Sequence, residues 1–270
     1  QYTLSGIDPG NYGAVVYRFQ AQGTNASITM TPTSAGSFHW FGASLELVLV
    51  GTQTLTVGDS GNYTFSGNIT GLTGLTKNGS GTQTLSGNNT YTGTTTVNAG
   101  TLALGANHTI GAIAGAGNIS LSTYNLSANS TSSTTFSGVL SGSGAFTKAG
   151  TGTLTIRGSV ALSSAGLVQV QGGALAVGAG SATGDLGSAQ VTLAAGTSLT
   201  VNRAGSFAFD NLVSGQGYLS LTASGALAIN KAVTLSAGSS GNDGRASIVA
   251  GGVLTLASGA NLSAAGSDPS

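Results

Sequence analysis

The 270-residue chain has 7 basic and 7 acidic side chains, no cysteine, 46 glycines and only 5% charged residues. With the charges balanced and scattered singly there is no basic patch for nucleic acid. Without cysteine there is no disulfide scaffold and no thiolate metal site. The apolar fraction, 40%, builds a core if its spacing is regular, and no run of about 18 apolar residues suggests a membrane-spanning helix.

Residues 1–50 carry long alternation and large aromatics, as in "YGAVVYRFQAQGTNASITMTP" and "SFHWFGASLELVLV". They read as an N-terminal β unit that covers the first coil of the repeats after it, since an uncovered end strand exposes unpaired donors and acceptors. The alternative is docking on a preceding subunit of a filament. Phe38, His39, Trp40 and Phe41 form the densest aromatic cluster. Rings so placed either pack the cap or stack on a sugar face or a partner, and these four are the candidate partner or glycan contacts.

From residue 51 to 270 the grammar changes. Glycine recurs too often for helices, each one costing about 1 kcal/mol in a helix interior, while Thr and Val favour strands. The repeated unit is apolar–polar–apolar: Val191/Leu193, Leu199/Val201, Phe207/Phe209, Leu219/Leu221, Leu227/Ile229, Val233/Leu235 and Leu254/Leu256. Alternate residues of a strand share a face, so each pair points inward. Three such strands make a coil of roughly 20–28 residues, and stacked coils make a β-solenoid. In residues 81–104 Leu85, Val97, Leu102 and Leu104 fill the coil. No proline lies between Ser34 and Asp268, which suits ladders that need every backbone N–H. Roughly eleven coils would reach about 50 Å at the interstrand spacing.

Longer self-similarity supports stacking. Residues 65–87 align without a gap to 136–158, with Phe65/Phe136, Lys77/Lys148, Gly79/Gly150 and Leu85/Ile156 in matching places; a decayed third copy spans 209–229. Copies some seventy residues apart represent about three coils each on this reading.

The block "LTKNGSGTQTLSGNNTYTGTTTVNAGTLALG" (75–105) resembles the autotransporter-associated β-strand repeat through Leu75–Lys77, Gly79–Leu85, Tyr91–Gly93 and Asn98–Leu102. A weaker copy covers 146–177, and 232–267 is similar to filamentous-haemagglutinin-type adhesin repeats. The resemblance implies a right-handed parallel β-helix on a Gram-negative cell surface, exported by a type V route. It implies an adhesin or stalk segment that self-associates or binds host or neighbouring cells, with no catalytic residues to transfer. The runners-up are a self-assembling filament or sheath subunit and, last, a polysaccharide-acting β-helix enzyme.

The search for chemistry is sparse. Glycoside cleavage needs two carboxyls in set geometry; stacking offers only Asp185 and Asp210, 25 residues apart in sequence, and these read as turn residues. His39 and His108 are the only histidines. No catalytic residue, cofactor or metal site is assigned. Asn-x-Ser/Thr triplets abound, and their asparagines are expected in hydrogen-bonded ladders rather than under glycans.

Overall fold

In the computed structural model the described residues are 2–3, 28–29, 46–49, 54–71, 74–163, 166–236 and 244–265. Across them the fold is all β, and every strand pairing is parallel. The chain winds as a β-solenoid with three faces to each coil. Face A is a ten-stranded sheet that begins at Thr54–Val57 and ends at Ala246–Ala250. Face B is a six-stranded sheet from Tyr63–Phe65 to Ser159–Leu162. Phe207–Phe209, Leu227–Ile229 and Leu254–Leu256 form a separate three-stranded sheet at the same place in later coils. Face C is an eight-stranded sheet from His108–Ile110 to Leu262–Ala265. Earlier in the chain, Asn68–Gly71 pairs with Glu46–Leu49 at the corresponding place.

The alternation read from sequence is the packing rule. On face A the inward column runs Leu75, Thr95, Ile113, then Thr134, Leu154, Leu175, Leu199 and Leu219, the two runs aligned by the Gly115–Phe136 pairing, and its apolar members are 2% exposed or less. Leu85, Val97, Leu102 and Leu104 are buried as expected, and so are the inward pairs from Val191 to Leu235. Leu254 and Leu256 are the exception, at 48% and 51% exposed. They continue the columns of Leu227 and Ile229, which are buried because a following strand covers them; in the last described coil no described strand does.

Two other departures come from geometry that composition does not encode. Phe65 lies in face B and Phe136 in face A, although they match in the self-alignment. The long repeat therefore does not close on a whole number of coils, contrary to the three-coil reading. Face B is also interrupted between Ser159–Leu162 and Phe207–Phe209. There the chain from Gly178 to Gly187 makes a wider excursion and touches the sheet through a single bridge, Ser159 to Asp185. Gly178, Ala179, Gly180, Gly184 and Gly187 all have positive φ in this stretch.

Packing and exposure on one strand make opposite demands on neighbouring residues. Phe136→Ala is expected to lower the unfolding free energy by about 3–5 kcal/mol, read by urea titration. Thr135→Ala on the outer side of the same strand should change it by less than about 0.5 kcal/mol.

Candidate functional site

The buried polar side chains of the described residues include two lysine sites, an asparagine–histidine cluster and Asn211, whose Nδ2 donates to the carbonyls of Leu186, Gly187 and Ala189. Lys77 ends the face A strand Gly74–Lys77, where alternation turns its side chain inward beside Leu75. It is fully buried. Its register partners are Val57 and Val97, small enough to leave the lysine stem a path to the corner. Its Nζ donates to the carbonyls of Asn78 (2.6 Å), Gly79 (2.8 Å) and, in the next coil, Ala99 (3.3 Å).

Lys148 repeats this arrangement on face C. It lies between Ala128 and Val170 in register and is 3% exposed. Nζ donates to Ala149 (2.8 Å), Gly150 (2.8 Å) and Gly172 of the next coil (3.0 Å). In both cases the far carbonyl belongs to the residue before a left-handed glycine, Gly100 or Gly173. Gly79 and Gly150 in the near turns are left-handed as well. Gly58 adds a steric condition: a Cβ there would come within 2.7 Å of Lys77 Cδ.

An ammonium group has three N–H donors, and here each ammonium meets three carbonyls. Burial pushes both lysines below the ordinary lysine pKa, and for Lys77 the Asp59 carboxylate acts in the opposite direction. Each clamp ties the turn of one coil to the turn stacked on it. The backbone does the same alongside, Asn98 N donating to Lys77 O and Gln171 N to Lys148 O.

The second cluster lies in the interior around Asn89, His108, Tyr91 and Thr95, all buried. Asn89 Oδ1 accepts from Ile69 N at 2.7 Å, and Nδ2 donates to Gly87 O at 3.1 Å. His108 Nδ1 is 3.2 Å from Asn89 Nδ2, and Nε2 is 3.2 Å from Leu85 O. The Tyr91 and Thr95 hydroxyls are 2.6 Å apart. Tyr91, Thr95 and His108 line a small internal cavity with Leu102, Ile110 and Ile119. Sequence reasoning named Tyr91 as a motif position and His108 as one of two histidines, and missed that they meet Asn89 and Thr95; the missed signal is the run of two asparagines before an aromatic in an otherwise apolar column.

The sequence-nominated acids do not combine. Asp185 Oδ1 accepts from Gly187 N, whereas Asp210 Oδ1 accepts from Asn230 Nδ2 at 2.7 Å. Asp185 thus serves its own turn, and Asp210 ties its turn to the turn of the next coil. Among the described residues no three of His, Cys, Asp and Glu come together as a metal-ion site, and no helix is long and apolar enough to cross a membrane. Phe38, His39, Trp40 and Phe41 lie outside the described residues.

The asparagines of several glycosylation-like triplets are engaged in the stack. The Oδ1 atoms of Asn62, Asn68, Asn107, Asn118 and Asn125 each accept a backbone N–H from the following coil. Side chain to side chain the expected ladder is present at Asn98 Nδ2 to Asn78 Oδ1, 2.8 Å.

The two lysine clamps mark the limits of a known sequence unit. The passenger-associated-transport-repeat family model matches residues 75–104 and 146–177. These two segments are autotransporter passenger repeats. Each begins on the strand that holds its lysine and extends past the turn that the same lysine clamps one coil later. The chain is also similar to the adhesin BmaC autotransporter of Brucella suis biovar 1 (strain 1330), at 32% identity over 206 residues. That match takes in 65% of this chain and 6% of the adhesin, so the chain spans a small part of that relative's length. No solved structure matches the chain.

Lys77→Met or Lys148→Met removes the donor from half-buried turn carbonyls, at about 1–3 kcal/mol for a group left unpaired. Chemical denaturation should show a loss of at least that size for either variant. Lys231→Met, changing a lysine between strands, is expected to stay within about 0.5 kcal/mol of the parent.

Proposed function

We propose that this segment is a non-enzymatic, cell-surface or extracellular β-helical stalk that takes part in attachment or cell–cell contact. The observation that carries the reading is the outer surface of a stack built on passenger repeats. On face A one outward column runs Thr56, Thr76, Thr96, Ala114, Thr135, Thr155, Ala176, Thr200, Ser220 and Ser247. The outward column of face C carries Thr109, Ser127, Thr147, Gln169, Thr192, Ser214 and Thr234. Among described side chains, Asp59, Arg157, Asp185, Asp210, Lys231 and Arg245 lie between strands and Arg203 ends one. The faces thus offer hydroxyl and methyl groups, and charge stays at the corners. Similarity to an adhesin supports contact with other surfaces as the use of such faces.

Residues 1–50 fit this proposal as a cap, with Phe38, His39, Trp40 and Phe41 as partner or glycan contacts; the parallel pairing of Glu46–Leu49 with Asn68–Gly71 supports continuity between that unit and the stack. A second reading, a subunit of an extracellular filament, is favoured by the uncharged outward columns of faces A and C, along which copies can associate. Electron microscopy distinguishes the two: single short rods support the stalk, and long polymers support the filament.

Contact through uncharged faces has a salt signature. Beads coated with the purified segment should retain bacterial or host cells above an albumin-coated control. Raising salt from about 0.05 to 0.5 M, which shortens the screening length severalfold, should change retention by less than about two-fold. Retention no greater than the control contradicts the proposal.

A further inference from the structure

We propose that Asn89 and His108 form an acid-sensitive latch, and that protonation of the imidazole releases residues 86–92 from the wall of the solenoid.

The latch sits at a break in face C. Between Asn68–Gly71 and His108–Ile110 the intervening coil has no regular strand, and the face C sheets on its two sides are separate. The coil is held there by a short set of bonds. Thr90 N and Thr92 N donate back to Ile69 O and Gly71 O, and Thr109 N donates back to Asn89 O. Ser86 N donates to Phe65 O and Asn88 N to Asn68 Oδ1 at its near edge, and the side chain of Asn89 adds the inner ties, to Ile69 N on one side and His108 on the other.

The arrangement admits one protonation state. Nε2 faces the Leu85 carbonyl at 3.2 Å and must carry the hydrogen. Nδ1 faces two donors, Asn89 Nδ2 at 3.2 Å and Asn89 N at 3.4 Å, and must be the acceptor. A proton on Nδ1 therefore points at N–H groups. Turning the Asn89 amide over to offer Oδ1 withdraws that oxygen from Ile69 N, so the added proton costs one tie in either orientation.

The surroundings offer the imidazolium no compensation. Strands Thr82–Leu85, Thr101–Leu104, Asn118–Ser120 and Leu126–Asn129 pack around the cavity and carry no charged residue. The other titratable group lining it is Tyr91, whose phenol is fully buried and pushed well above its ordinary value, so it stays neutral. Burial likewise holds His108 below the ordinary histidine value, with the Leu85 carbonyl opposing the shift more weakly. The closed form therefore binds its proton less readily than an opened one. The latch is fully effective above about pH 6.5 and weakens as the pH falls below it.

Hydrogen exchange corrected for intrinsic rates tests this. Between about pH 7.5 and pH 5 the protection of the Ile69, Asn89 and Thr109 amides should fall by about ten-fold or more, while that of Val191–Leu193 holds. His108→Gln keeps a donor and an acceptor but cannot titrate, and its protection there should not depend on pH. Unchanged protection in the parent, or an equal fall in His108→Gln, overturns the proposal. Should His108→Gln not fold, the imidazole proton resonances of the parent decide. A His108 midpoint below the ordinary value that coincides with the loss of protection supports the latch; a midpoint with no accompanying loss overturns it.

Discussion

A three-faced coil needs sharp corners, and the carbonyls of those corners need donors wherever the neighbouring coils close over them. In the passenger repeats the donor is a buried ammonium. Lys77 and Lys148 each join two carbonyls of their own turn to one in the turn above. This single interaction accounts for the left-handed glycines on both turns and for the small partners in the lysine columns. It also accounts for a sequence unit longer than one coil: a repeat that ended after one circuit would contain the lysine and omit the turn it holds. Because the clamp involves a strand end and a corner, it works on any face, and the two repeats place it on faces A and C.

Much of the fold was legible because strand alternation and coil stacking are both local rules. An apolar–polar–apolar triplet flanked by glycine buries its ends on any of the three faces, so Val191/Leu193 and Leu219/Leu221 could be assigned inward without knowing which face they occupied. The same generality hid the phase. Phe65 and Phe136 match in sequence and sit on different faces, since coil length varies with each turn and excursion. Leu254 and Leu256 obey the triplet rule and still lie half exposed, because burial depends on a neighbouring coil and not on the triplet itself.

The candidate sites were less legible. Lysine in a Thr-rich strand reads as a solvated residue, and only its place in the repeat set Lys77 and Lys148 apart. The Asn89–His108 cluster depends on residues 19 apart meeting inside a coil, which no linear spacing announces. The acids show the reverse case: Asp185 and Asp210 lie about one coil apart in sequence, yet Asp185 bonds within its own turn and Asp210 to Asn230 of the next coil. The proposed function accordingly rests on the outer faces. The two lysines and the Asn89–His108 pair are spent within the wall, other charges lie at the corners, and the faces are left mostly with hydroxyls and methyls in register.

The central claim is that each buried lysine holds the turn of its own coil to the turn of the next. Residue-resolved hydrogen exchange of Lys148→Met against the parent tests it most directly. Protection should fall by about ten-fold or more in the near turn, 149–152, and the far turn, 171–173, and hold at Val233–Ser236 several coils away. Protection lost evenly along the chain, or lost in the near turn while the far turn keeps its own, would contradict it.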